Sequence, residues 1–185
     1  MAETILSICL GIGLSASVGF RVFLPLFALS LAAYCNVWEL NESWQWIGST
    51  AAVITLGIAT LVEIVAYYIP LVDNALDTIA MPLATIAGTA VMVSTVADLS
   101  PVITWALAII AGGGTAAAVK SSASATRVGS TVSTAGFGNP VVSTIETGSS
   151  VVMSIVSIFL PILAFILVLF IFYLVFKLFK KFRRN

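Results

Sequence analysis

The chain has 185 residues, 60% hydrophobic and only 9% charged, with a mean hydropathy of +1.14. Soluble domains carry about 25% charged residues, so this composition argues against an independent soluble domain and for a chain embedded in a lipid bilayer. The eight basic and eight acidic residues cancel, and there is no histidine, which removes the commonest general base and transition-metal ligand.

A helix needs roughly 20 apolar residues to cross the hydrocarbon core. The apolar runs here are long and unbroken, unlike the short alternating strands of a membrane barrel. The expected fold is therefore an all-α, polytopic transmembrane bundle of five or six spans, forming one domain over residues 1–176. A basic tail over 177–185 follows, with Lys177, Lys180, Lys181, Arg183 and Arg184. Cys9 and Cys35 are too few for a disulfide framework or a metal site. The N-terminus lacks a basic n-region, so the first apolar run is expected to remain as a membrane helix.

That first run covers about Thr4 to Ala33 and carries Arg21 near its middle. Gly13, Ser17, Arg21 and Pro25 recur at helical spacing. A loop over residues 35–46 follows, where Glu39 and Glu42 lie among Trp38, Trp44 and Trp46, as suits a membrane–water boundary. The second run, about Ile47 to Ile69, carries Glu63 and stops at Pro70. Thr60, Glu63 and Tyr67 share one face, and Glu63 is the natural ionic partner for Arg21 across an antiparallel pair.

Asp73-Asn74 and Asp77 suit a helix start, and the third run, about Thr78 to Ala97, has Pro82 in its first turns. Ser100-Pro101 opens the fourth, which meets Gly112-Gly113-Gly114, a site for a break or very close packing. The fifth, about Val151 to Phe176, is the most hydrophobic, with a kink expected at Pro161.

Residues 115–150 are too polar for lipid. Small side chains and hydroxyls favour a helix packed among other helices; the alternative is a Gly/Ser linker. As a helix, Lys120, Ser124, Arg127, Thr131 and Thr134 form one stripe, with Ala118, Ser122, Ala125, Gly129 and Val132 opposite, small enough for close packing. Gly136-Phe137-Gly138-Asn139-Pro140 then suits an interrupted helix with Asn139 as cap, followed by Ser143 and Glu146. Broken or re-entrant helices are expected over 112–150. If this segment crosses, both termini lie on one side; if it is re-entrant, they lie on opposite sides. Ser15-Ala16-Ser17 before Arg21 and Ser122-Ala123-Ser124 before Arg127 form only a faint internal repeat.

Ionisable residues inside a span mark candidate sites. The expected path for an ion or small solute is Arg21, Ser17, Glu63, Tyr67, Lys120, Ser124, Arg127, Asn139 and Glu146. An anionic solute is favoured because Arg21, Lys120 and Arg127 outnumber Glu63 and Glu146. No HExxH, nucleophile elbow or carboxylate cluster is present, so no catalytic residue, metal or cofactor is expected, and no enzyme activity. The expected function is a channel or transporter, with a lipid-interacting scaffold as the alternative. The expected setting is the bacterial cytoplasmic membrane, C-terminus inside, as a homo-oligomer whose tail meets anionic lipids and binds no nucleic acid.

The segment Gly13-Leu-Ser-Ala-Ser-Val-Gly-Phe-Arg-Val-Phe-Leu-Pro25, the later Lys120-Ser-Ser-Ala-Ser-Ala-Thr-Arg127, and Ser133-Thr-Ala-Gly-Phe-Gly-Asn-Pro-Val-Val-Ser143 resemble the bacterial membrane proteins grouped as domain-of-unknown-function family 4126. With the stretch from Glu63 to Asp77, the likeness covers nearly the whole chain. It implies a small prokaryotic integral membrane protein and carries no activity or functional residues.

Overall fold

A computed structural model describes residues 1–97 and 99–182. Every regular element among the described residues is a helix, in the order α1 (Ala2–Phe20), α2 (Phe23–Tyr34), a 3-10 helix (Glu42–Gly48), α3 (Thr50–Ala66), α4 (Pro70–Thr95) and α5 (Pro101–Leu107). A π-turn (Ala108–Gly113), α6 (Gly114–Thr134), α7 (Asn139–Phe159) and α8 (Pro161–Phe182) complete them. Four helices are long and apolar enough to cross a membrane: Ala2–Phe20, Ala75–Thr95, Pro101–Thr134 and Asn139–Phe159. The 3-10 helix and α3, bent by 63°, make a fifth if counted as one span. This is an integral membrane protein.

The first apolar run is not one span. Arg21 is extended (φ −140°, ψ 130°) and its amide ends α1 on Ser17. The chain then reverses, so α2 runs back beside α3, with Phe27 against Gly57 and Ser30 bonded to Ile47. The stripe Gly13, Ser17, Arg21, Pro25 is thereby cut, and Pro25 becomes the third residue of α2. A proline fits there because a first-turn amide has no intrahelical partner to lose.

A second reversal falls at Leu160 (φ −138°, ψ 63°), where a kink at Pro161 was expected. Two helices replace the single fifth span, and α8 returns so that Ala164 meets Gly13 while Phe172 approaches Phe20. The third run also begins earlier than its apolar pattern suggests. Pro70 opens α4, which leaves Pro82 in the helix interior. Pro70 can do so because the first helical position needs no amide donor.

The glycine triplet does not break its helix. Gly113 and Gly114 keep helical dihedrals as the π-turn passes into α6, and Gly112 and Gly113 are buried against α4. A Cβ on Gly112 would lie 2.6 Å from the Gly88 carbonyl oxygen, and one on Gly88 would lie 2.8 Å from the Gly112 carbonyl oxygen. Small residues thus permit direct backbone contact.

Seven legs (α1, α2, α3, α4, the α5–α6 run, α7, α8) alternate in direction among the described residues. Their order places the start of α1 and the end of α8 at opposite ends of the bundle. Helix α1 is central, with α4, α6, α7 and α8 around it, and Leu10, Leu14 and Val18 form its buried core. Helix α3 is peripheral, packed on α2 and the 3-10 helix. At the end opposite Arg21, the Trp38 indole donates to the Ile158 carbonyl at 2.8 Å and Trp44 stacks with Trp46.

Candidate functional site around Tyr67

Only three basic residues precede Lys177 in the sequence, and the fold brings all three to one aromatic ring. Tyr67 ends α3 and is buried. The Arg21 guanidinium carbon lies 4.0 Å from its ring centroid, the Arg127 guanidinium carbon 4.6 Å and the Lys120 ammonium 5.4 Å. Arg21 arrives from the α1–α2 reversal, while Lys120 and Arg127 come from two turns of α6. A tyrosine face attracts cations most strongly when water is excluded, as here.

The carboxylates come from three helices. Asp73 and Asp77 lie one turn apart on α4, Glu146 on α7 and Glu63 on α3. Arg127 is the hub: its guanidinium bonds Asp73 and Glu146, and its Nη2 donates to the Ser143 hydroxyl at 3.0 Å. Asp77 lies 3.9 Å from Arg127 and accepts from Lys120 at 3.2 Å. Arg127, Asp73, Glu146 and Lys120 are buried, whereas the Asp77 side chain is 24% exposed and forms the wet edge of the cluster.

Arg21 is held differently. Its Nε donates to the Thr147 hydroxyl and its Nη2 to the Ser143 carbonyl, each at 3.0 Å. Its contacting carboxylate is Glu146, at 3.9 Å, which Arg127 holds more closely. The expected Arg21–Glu63 pair is not formed. The Glu63 carboxylate instead accepts from the backbone amides of Val22 and Phe23, at 2.7 and 3.0 Å. The physical reason is the chain reversal, which exposes the uncapped amides of α2 where Glu63 arrives.

The other expected site residues divide. Asn139 is the first residue of α7 rather than its cap, and its amide donates to Asp73 at 3.4 Å and to Thr131 at 3.2 Å. The turn before it has left-handed Ala135 (φ 53°) and Gly136 (φ 89°), while Thr134 accepts the Gly138 amide at 2.8 Å. Ser17 bonds Ser150 and Ser154 across the α1–α7 seam, a turn from the cluster. Ser124 is half-buried and bonds none of the cluster residues. The face of α6 expected to pack closely faces outward instead: Ala118, Ala125 and Val132 are exposed, and nothing lies within 4 Å of a Cβ on Gly129.

Sequence reasoning missed Asp73 and Asp77 as site residues, because acidic residues in a first turn are accounted for by helix capping. The available signal was their spacing of four, which puts both on one face. With them included, the cluster has four carboxylates and three cations, so the simple charge count that favoured an anion no longer does.

An apolar cavity of about 440 Å³ between α2, α3 and α4 reaches this site, with Val22, Phe23, Glu63 and Tyr67 in its wall. A second, of about 260 Å³, lies among α1, α6, α7 and α8, with Glu146 in its lining. Among the described residues, no group of three or more acidic, histidine or cysteine side chains is placed to hold a metal ion.

No curated protein and no solved structure matches the chain. Residues 8–181 match the family described as Domain of unknown function (DUF4126). The match takes in every residue of the Tyr67 cluster, and the chain belongs to that family.

Proposed function

We propose that this chain is a small, non-enzymatic membrane channel or transporter for an ion or small solute, and that the Tyr67 cluster lies on its path. The observation that carries this reading is the burial of Arg21, Glu63, Asp73, Lys120, Arg127 and Glu146 together inside an apolar bundle. Desolvating ionic groups is costly, and well-packed apolar residues often stabilise a core as well or better. Such a group inside a membrane protein is therefore better accounted for by a path than by stability alone. Helices α2 and α7 both begin at the cluster, the arrangement by which interrupted helices build binding sites in transporters.

Flux in proteoliposomes tests the reading. Uptake or conductance above empty liposomes across a panel of small ions supports it, provided that Arg127→Gln alters selectivity or rate. No flux from folded protein across that panel rejects it.

The second reading, a non-transporting scaffold, is favoured by one observation. The small-residue face of α6, including Ala118, Ala125 and Gly129, is uncovered, and such faces drive helix association in bilayers. Homo-oligomerisation through it fits either reading. We also place the chain in the bacterial cytoplasmic membrane, with the basic end of α8 inside against anionic lipids. On that orientation, and with seven alternating legs, our reading has the N-terminus outside. Arg183 and Arg184 of the basic tail lie outside the described residues.

A further inference from the structure

Arg21 is fully buried, and its Nη1 is the one buried side-chain nitrogen or oxygen among the described residues without a hydrogen-bond partner. Every other buried polar side-chain atom in this dense network is satisfied. A guanidinium has five N–H groups in a fixed fork. Thr147 and Ser143 take one each from Nε and Nη2, which leaves both protons of Nη1 without an acceptor. The charge is also the least compensated of the three. Lys120 has Asp77 at 3.2 Å and Arg127 bonds both Asp73 and Glu146, but Arg21 has only Glu146 at 3.9 Å. The Tyr67 ring is shared with two other cations, and Glu63 is occupied by the α2 amides.

A buried donor pair on an incompletely neutralised cation calls for an acceptor that brings negative charge. We propose that Arg21 Nη1 is the binding subsite for a small monovalent anion, of the size of a halide, nitrate or formate. The proposal rests on the transport reading of the same cluster and names its substrate class. The total charge count does not favour an anion; the local pairing at Arg21 does. Val22, the chain neighbour of Arg21, and Tyr67, whose ring Arg21 overlies, both line the cavity between α2, α3 and α4.

The test is equilibrium binding to purified full-length protein in nanodiscs, by titration calorimetry. Chloride, nitrate and formate are the probes, each against bulky gluconate at constant ionic strength. Saturable binding of at least one of them is expected. Arg21→Lys keeps the charge but removes Nη1 and should weaken that binding by tenfold or more. Glu146→Gln removes the carboxylate that competes for Arg21 and should tighten it several-fold, which keeps the idea testable if the Arg21 variant does not fold. No saturable binding of any probe to wild type means that a water molecule suffices at Nη1, and overturns the proposal. Binding that ignores both substitutions overturns it equally. Binding without flux in liposomes leaves the subsite standing and removes the transport reading; flux without anion binding does the reverse.

Discussion

Glu63 closes the helix that starts just beyond Arg21: its two carboxylate oxygens accept the amides of Val22 and Phe23, at 2.7 and 3.0 Å. A side chain from α3 thus does for α2 what a local cap usually does, and it couples the peripheral α3 to the chain reversal beside the charge cluster. The geometry explains why a carboxylate is tolerated there. Two amide donors and the positive end of a helix stabilise its charge where water does not.

Removing that cap should therefore destabilise the fold at the reversal. Glu63→Leu leaves two buried amides without acceptors and should lower unfolding free energy by about 1–3 kcal/mol. Glu63→Gln retains one acceptor oxygen and should lose less. Thermal unfolding in nanodiscs checks the order; a Gln variant as damaged as the Leu variant would mean that the amides are not what Glu63 serves.

The Arg127 hub should show the asymmetry of buried ion pairs. Arg127→Leu strands Asp73 and Glu146 in the interior and should cost roughly 3–5 kcal/mol. Neutralising its partners as well, in Asp73→Asn, Glu146→Gln and Arg127→Met together, should recover most of that loss while abolishing any flux. The comparison separates the two roles of the network. A triple variant as unstable as the single one would show that the residues are held by something other than their mutual charge.

How much of this was legible beforehand differs from residue to residue. The membrane setting follows from composition and run length, and the stripe of Lys120 and Arg127 on α6 follows from helical spacing alone; both are seen. The partner of Arg21 was not legible, because it depends on a reversal at Arg21-Val22 with no glycine or proline at the turn itself. The one local hint was Pro25, a residue suited to a first helical turn. Asp73 and Asp77 were hidden by a sufficient local explanation as helix-start residues. The glycine triplet allowed a break or close packing, and the facing Gly88 on a distant helix decided between them.

Tyr67 should matter for its ring more than for its hydroxyl. The hydroxyl is 3.5 Å from Lys120, a weak contact, whereas three cations lie over the ring. Tyr67→Phe should consequently stay near wild-type stability. Tyr67→Leu removes the shared π-face and should cost on the order of 2 kcal/mol, read as a lower unfolding midpoint. Equal effects of the two substitutions would assign the hydroxyl, not the ring, as the organising group.

The last prediction concerns the α4–α6 seam that places Lys120 and Arg127. Gly112 and Gly88 meet backbone to backbone, and a methyl at either would come within 2.6 Å of a neighbouring atom. Gly112→Ala should thus push the π-turn off α4 and destabilise by about 1–3 kcal/mol. Gly114 has nothing within 4 Å and keeps ordinary helical dihedrals, so Gly114→Ala should be neutral or gain roughly 0.5–1 kcal/mol from helix propensity. The two glycines lie two positions apart in the same triplet, so the substitution is the same and the packing differs. The shift should also reach the cluster, because the register of α6 on α4 sets the Lys120–Asp77 and Arg127–Asp73 pairs together. Unfolding curves for the two variants, with flux measured on the same preparations, decide it: a Gly112→Ala protein as stable and active as Gly114→Ala would show that the backbone contact is dispensable.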